Sequence, residues 1–105
     1  MISYGTLVRD DNHEAIGWRG AANITSNTTT VVKDSAGILH GITINALGTS
    51  EILTIYNGVS ASGTKIATIT IQANIPFYPF DVACDAGITI VSSGTTAGDY
   101  TALYC

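Results

Sequence analysis

The feature that most constrains the fold is an alternation of apolar and polar residues in short runs separated by glycine-containing turns. In "EILTIYNGVSASGTKIATITIQ" (residues 51–72), two runs rich in Ile and Thr flank a Gly- and Ser-rich loop. β-Branched residues that alternate with a period of two are typical of half-buried strands, and glycine supplies the conformations that tight turns need. This segment therefore predicts a β-hairpin.

The same pattern continues from Thr28 to the end of the chain. Runs of β-branched and aromatic residues follow one another, and none has the 3.6-residue apolar period of a helix. Short strands at such spacing are typical of a sandwich or barrel. We predict an all-β, single-domain antiparallel β-sandwich with strands at residues 28–34, 38–46, 51–57, 64–72, 77–84, 87–92 and 98–104.

The N-terminal segment differs from the rest because its periodicity is weak. Residues 3–8 predict a short strand, and residues 9–27 predict an extended arm or loop. Trp18 is the expected anchor of this arm, since one large aromatic ring can hold a loosely packed segment. The predicted organisation is an arm at residues 1–27 and a β-sandwich at residues 28–105.

Alternation also assigns side chains to the two faces of each strand. In "ILHGITINA" it places Ile38 and His40 on the same face as Ile42. Pro76 and Pro79 lack the N–H that a sheet needs, so "PFYPFDVAC" predicts an edge or bent strand. The residues predicted to be largely buried are Ile42, Ile44, Ile55, Ile69, Phe80, Val82 and Ile90.

The composition excludes several classes of partner. The net charge is −4, and the four Lys and Arg residues are scattered along the chain. Nucleic acids and anionic membranes select clustered positive charge, so neither is an expected partner. No apolar run approaches the roughly 18–20 residues of a membrane span, and the N-terminus does not resemble a secretory signal. We expect a soluble protein that folds in a cytoplasm.

The chain is unusually poor in charge. Charged residues make up 11% of its 105 residues, whereas soluble domains average about 25%. Thr, Ser, Asn and Gly occupy the polar positions instead. Apolar and Thr-rich surface is tolerated where another subunit covers it. We therefore expect part of the outer surface to lie against another chain.

Residues capable of chemistry are few. Cys84 is expected to be a small buried hydrophobe, and a disulfide with Cys105 is not favoured in a reducing compartment. The segment "RDDNHE" (residues 9–14) indicates a solvated turn more than a metal site, since a single His lies beside its carboxylates. His40 lacks the partners that catalysis requires, and Asp85 belongs to a turn. We predict no catalytic, cofactor or metal site and no enzyme.

Three stretches of the chain carry a resemblance to a known family. They are "GILHGITIN", "LTIYNGVSASGTKIATI" and "FDVACDAGITIVSSGTTAGDYTALY", and they follow one another within residues 36–104. In this order they resemble the small all-β virion proteins of tailed bacteriophages, particularly those that decorate or cement the capsid. The resemblance implies a jelly-roll-like sandwich that is assembled in the host cytoplasm and resides in the virion. It also implies that the protein packs on the major capsid protein or other virion subunits, as a homo-oligomer, for example a trimer, without a cofactor.

Three classes of function remain open on the sequence. A structural virion protein leads, the alternative is a phage tail, fibre or receptor-binding (carbohydrate-binding) module, and an enzyme comes last. A carbohydrate-binding module would use exposed Tyr and Trp rings for stacking.

The residues predicted to form an interface are Trp18, Tyr4, Pro76, Pro79 and Tyr100.

Overall fold

The computed structural model describes residues 8–9, 15–16 and 20–105, and this part of the chain is built from β-strands and turns without a helix. It contains no helix long and apolar enough to cross a membrane. Val8–Arg9 (β1) pairs with Ala15–Ile16 (β2) in a small antiparallel sheet. The other strands are Gly20–Ile24 (β3), Thr29–Lys33 (β4), Gly37–Ala46 (β5), Ile52–Asn57 (β6), Thr64–Thr70 (β7), Phe77–Cys84 (β8), Ile88–Ser93 (β9) and Asp99–Tyr104 (β10).

Strands β3 to β10 form two antiparallel sheets of four strands each. Sheet I has the order β3-β10-β5-β8, and sheet II has the order β4-β9-β6-β7. Each strand pairs with the strand equally far from the other end of the series: β3 with β10, β4 with β9, β5 with β8, and β6 with β7. The chain therefore behaves as one long hairpin whose tip is β6–β7. Pairing of β10 with β5 joins two of these pairs into sheet I, and pairing of β6 with β9 joins the other two into sheet II.

The predicted antiparallel β-sandwich is confirmed, and so are the strands that the alternation located. The largest shift at any strand end is at β7, which was predicted at residues 64–72 and ends at Thr70. The hairpin predicted from residues 51–72 is the β6–β7 pair, in which Leu53 lies opposite Ile69. Period-two alternation located these strands correctly because one face of each sheet packs on the core.

Strand β3 was not predicted, because residues 20–24 were assigned to an arm or loop. The segment Gly20–Ile24 pairs with β10 instead and is an edge strand of sheet I. Its small residues have low β propensity, so the strand depends on its partner. The Asn23 side chain, for example, donates a hydrogen bond to the Tyr100 carbonyl at 2.9 Å. The sandwich therefore begins at Gly20 and not at Thr28.

Most of the predicted arm lies outside the described residues. This applies to residues 3–7 of the predicted short strand and to Trp18. Residues 8–9 and 15–16 form the β1–β2 pair. The role of an N-terminal arm therefore stays a prediction.

The core lies between the two sheets. Of the residues predicted to fill it, Ile42, Ile55 and Ile90 are fully buried. The other four predicted residues are half-buried and pack against this cluster: Ile44, Ile69, Phe80 and Val82. The fully buried side chains also include Leu39, Leu53, Ile88, Tyr100 and Ala102.

One face assignment in β5 was wrong because the strand contains an irregularity. On β10, the neighbours Leu103 and Tyr104 pair with Gly41 and Leu39, so β5 carries an extra residue, His40, between its paired positions. An extra residue reverses the alternation on one side of it. Leu39 therefore shares the inner face with Ile42, while Ile38 is 38% exposed.

Candidate interaction surfaces

The outer face of sheet II is a nearly uncharged surface that crosses all four strands. Its side chains form three rows along the paired register, and Lys65 is the only charged residue in them. The rows are Val31, Tyr56 and Lys65, with the buried Thr89 between Val31 and Tyr56; then Thr29, Val91, Thr54 and Thr68; then Ser93, Ile52 and Thr70.

The local sequence explains this surface. The alternation in sheet II places Thr at many outward positions, and Thr is β-branched, so it favours the strand conformation and presents a methyl group beside each hydroxyl. Two aliphatic side chains on the same face, Val31 and Ile52, are 46% and 37% exposed. Apart from Lys65 on the edge strand β7, the rows can therefore pack against an uncharged partner surface without burying an unpaired charge.

The outer face of sheet I is different because it carries carboxylates. Asn23 and Asn45 donate hydrogen bonds to Asp99 Oδ1 at 2.6 and 3.1 Å, and both also donate to Thr101 Oγ1. These hydrogen bonds lower the pKa of Asp99, with the Asn23 contact as the larger cause. The network ties together β3, β10 and β5.

A second acidic group on this face lies beside a histidine. His40 Nδ1 is 3.0 Å from Asp81 Oδ1, and Asp81 has a positive φ of 53°. The pair lies at the irregular region of the β5–β8 pairing. The two outer faces of the sandwich therefore differ in charge, with the acidic groups on sheet I.

The β8 edge of sheet I exposes apolar side chains. Pro76 and Pro79, which were predicted as interface residues, are exposed, and Ile75 and Phe77 are each 37% exposed. The Phe77 ring lies directly over Gly41, so that a Cβ at position 41 would collide with it. The place of Pro79 in an edge strand is confirmed, whereas Pro76 directly precedes that strand. The contact of both prolines with a partner stays a prediction.

The other predicted interface residues do not form a surface in the described part of the chain. Tyr100 is 1% exposed and belongs to the core, because its phenol is directed inwards to a buried carboxylate. Trp18 and Tyr4 lie outside the described residues. The remaining rings considered for sugar stacking, Tyr56 and Tyr104, are half-buried.

That buried carboxylate is Glu51, which the sequence analysis did not identify. Glu51 is 3% exposed, and its Oε1 accepts hydrogen bonds from the Tyr100 hydroxyl at 2.9 Å and from Ser92 Oγ at 3.1 Å. The backbone N–H of Gly98 approaches the same oxygen at 3.4 Å. Oε2 is buried without a hydrogen-bond partner among the described residues.

This cluster joins the two sheets at one end of the sandwich. Glu51 precedes β6 and Ser92 lies on β9, both in sheet II, whereas Tyr100 lies on β10 in sheet I. Burial raises the pKa of Tyr100, and its hydrogen bond to Glu51 raises this pKa further. Because the cluster is closed to solvent, it offers no access to a substrate.

The alternation contained a signal for Glu51. In "EILTIYN", Glu51 is in phase with Leu53 and Ile55, both of which are 0% exposed. The partners of the carboxylate could not be inferred locally, since Ser92 and Tyr100 are 41 and 49 residues further along the chain.

The two cysteines are both free. Cys84 pairs with Gly37 on one side of β5, whereas Cys105 exchanges backbone hydrogen bonds with Ile38 on the other side. Two strand spacings separate their backbones by about 10 Å, and a disulfide requires Cα atoms within about 7 Å. The prediction of a small buried hydrophobe is confirmed for Cys84, which is 1% exposed.

The two thiols are expected to react at different rates with a thiol reagent. Burial raises the pKa of the Cys84 thiol, and the nearby Asp85 carboxylate raises it further, so that little thiolate is present. Cys105 is only half-buried. In the native protein, we expect Cys105 to react with dithionitrobenzoate while Cys84 reacts only after denaturation. The Cys105→Ser variant should show no rapid reaction, and rapid labelling of that variant would contradict the burial of Cys84.

No catalytic or metal-binding arrangement stands out among the described residues. In that part of the chain, no three His, Cys, Asp or Glu side chains come together in a group that could hold a metal ion. Of the "RDDNHE" segment, the structure describes only Arg9, so neither the predicted turn nor a metal site there is tested.

Two open grooves lie at the end of the sandwich opposite Glu51, one beside Lys33 and Tyr104 and the other beside Asn57 and Cys84.

Comparison with known proteins adds no relative. No protein-family model matches the chain, and no curated protein matches it.

Proposed function

We propose that this chain is a structural virion protein of a tailed bacteriophage, with the role of a capsid decoration or cement protein. It binds the assembled head and stabilises it through contacts between subunits. The observation that carries this proposal is the outer face of sheet II, where Lys65 is the only charged residue in the three rows that cross its strands. A protein that covers a lattice needs such a broad, neutral contact surface and needs no active site.

From the strand order, we also propose that the sandwich is a jelly roll. Such folds contain eight strands in two sheets and occur in viral capsid proteins and in lectins. The pairing of first with last strand, second with second-last, and so on, fits a long hairpin rolled into two sheets. Because a fold hosts many functions, the strand order alone favours the capsid role no more than a carbohydrate-binding role.

The neutral face supports the capsid role over the carbohydrate-binding role. Sugar stacking uses exposed aromatic rings, and the aromatic residue of this face, Tyr56, is half-buried between Thr89 and Lys65. Burying such a surface against a flat partner contributes about 25 cal/mol of favourable free energy per Å² of apolar area removed from water. The face is therefore better suited to a protein surface than to a sugar.

The size of the face indicates how strongly one copy can bind. Four strands spaced about 4.8 Å apart and about six residues long cover on the order of 400 Å². A standard protein–protein interface buries about 800 Å² per partner. One face alone therefore gives a weak contact, and tight binding to a lattice requires further contacts or several linked copies.

A charge placed at the centre of the face tests the proposal. The Thr54→Glu variant is expected to lower affinity for heads at least about tenfold, because it buries an unpaired carboxylate at the contact. The measurement is co-sedimentation with heads assembled from the major capsid protein encoded in the same genome.

The matched control is Thr43→Glu. Thr43 is also half-buried and lies in a central strand, but on the outer face of sheet I. We expect this variant to bind heads like the unmodified protein. Equal binding by both variants would exclude the sheet II face as the contact. Binding to purified tails or glycans, with none to heads, would favour the tail or receptor-binding alternative.

A further inference from the structure

The two sheets of the sandwich have four edge strands, and these differ in how they are protected against pairing. β3 and β4 are five residues long, and β8 contains Pro79 and a register irregularity. Such features discourage strand addition. β7 has seven residues without proline or glycine, and both its one charge, Lys65, and its register irregularity lie before Ala67. The half of β7 from Ala67 onwards is therefore the least protected edge.

The direction of the free backbone groups follows from one hydrogen bond. The N–H of Ile71 donates to the Glu51 carbonyl at 3.1 Å, so residue 71 is directed towards β6. In an antiparallel pair, every second residue is directed to the neighbour and the others face away. Thr68 and Thr70 therefore present their N–H and C=O groups at the open edge. The Gln72 side-chain amide approaches the Thr70 carbonyl at 3.4 Å, which is a weak contact.

The core is also incompletely covered along this edge. Ile66, Ile69 and Ile71 pack against the core but are only half-buried. Ile75, in the connection between β7 and β8, is 37% exposed. An added strand would satisfy the free backbone groups and cover these aliphatic side chains at the same time.

We propose that β7 is the contact through which a second copy of this chain binds, so that two sheets II join into one continuous antiparallel sheet. The inference rests on the proposed function for its biological role and on the edge geometry for its structure. A two-fold axis through a strand edge makes the pairing antiparallel, which is the arrangement of every other pair in this fold.

The side chains of β7 are compatible with this symmetric pairing. With Ile69 on the axis, Thr68 lies opposite Thr70 of the second copy, and inward residues stay inward. Lys65 lies before Ala67, outside the half of β7 that forms the symmetric pair, so the two lysines do not face each other. Joining the sheets also doubles the neutral outer face, which supplies the additional contact area that one copy lacks.

The Thr68→Pro variant tests the proposal because it removes one N–H at the open edge from each copy. Proline is tolerated where the missing N–H faces solvent. Two lost hydrogen bonds per dimer correspond to at least about a tenfold rise in the dimer dissociation constant. We expect the unmodified protein to double in mass as its concentration rises in sedimentation equilibrium, and the variant to remain monomeric over the same range. The control, Gln72→Ala, leaves the backbone donors in place and should still dimerise.

Amide hydrogen exchange of the unmodified protein gives a second test that does not depend on the proline variant. In the unmodified protein, the Thr68 and Thr70 amides should exchange rapidly at low concentration and become protected as dimers form. A protein that stays monomeric at millimolar concentration would overturn the proposal, as would a dimer whose Thr68 and Thr70 amides remain unprotected. Either result leaves head binding to be measured separately, so failure of the edge contact is distinct from failure of the virion role.

Discussion

Replacing Ile55 with Ala is expected to lower the free energy of unfolding by about 2–5 kcal/mol. Ile55 is 0% exposed and lies on β6, a central strand of sheet II, where its side chain packs between the two sheets. Truncation removes buried methyl and methylene groups and leaves a cavity that neighbouring strands cannot fill. Chemical denaturation monitored by circular dichroism provides the measurement.

The control uses the same substitution on the opposite face of the same strand. Ile52 is 37% exposed on the outer face of sheet II, so Ile52→Ala should cost less than about 1 kcal/mol. A cost for Ile52→Ala as large as that for Ile55→Ala would mean that the inward and outward faces of β6 are wrongly assigned.

Replacing Tyr100 with Phe is expected to cost about 1–3 kcal/mol at pH 8, because it removes a hydrogen bond to a buried carboxylate. The cost should also depend on pH. The pKa of Tyr100 is raised in the folded protein, whereas unfolded tyrosine titrates near pH 10. Above about pH 10 the unfolded chain loses a proton that the folded chain retains, so the folded state loses stability by up to about 1.4 kcal/mol per pH unit.

The difference in stability between the unmodified protein and Tyr100→Phe should therefore shrink as the pH rises above about 10. Urea denaturation at pH 8, 10 and 11 measures it. Ser92→Ala is the control, since it removes another donor to Glu51 Oε1 but no group that titrates in this range. Its difference from the unmodified protein should stay constant, and a Tyr100→Phe difference that is equally constant would contradict the buried phenol.

The strands that could be predicted are those whose local pattern agrees with their environment. In β6 and β7, alternating Ile and Thr place aliphatic residues on the core and Thr outside, and these strands were found from the sequence. Glycine turns set their ends. β3 lacked any such signal, because its small residues form a strand only when Tyr100 and its neighbours on β10 supply the partner.

The site residues could be predicted less well, since their partners are distant in sequence. Period-two reasoning failed at His40, where the extra residue in β5 reverses the faces. Tyr100 was taken for an interface residue because nothing near it in the sequence reveals Glu51 as its partner. The neutral face of sheet II also depends on the register between four strands, which alternation within one strand does not determine.

The charge distribution connects these features to the proposed role. Asp81 and Asp99 lie on the outer face of sheet I, whereas sheet II offers a neutral face and the open β7 edge. A contact through sheet II therefore leaves these carboxylates directed away from the partner surface and towards solvent, which opposes further association by charge repulsion.

The most direct test of the proposed role is the temperature at which heads come apart when the protein is added in increasing amounts. A protein that binds the intact lattice and not its dissociated subunits stabilises it by RT ln(1 + [L]/Kd), about 2.7 kcal/mol per site at a hundredfold excess over Kd. We expect saturable binding and a disruption temperature that rises with the concentration of free protein. Heads that bind no protein, or that bind it and come apart at an unchanged temperature, would contradict the proposed role.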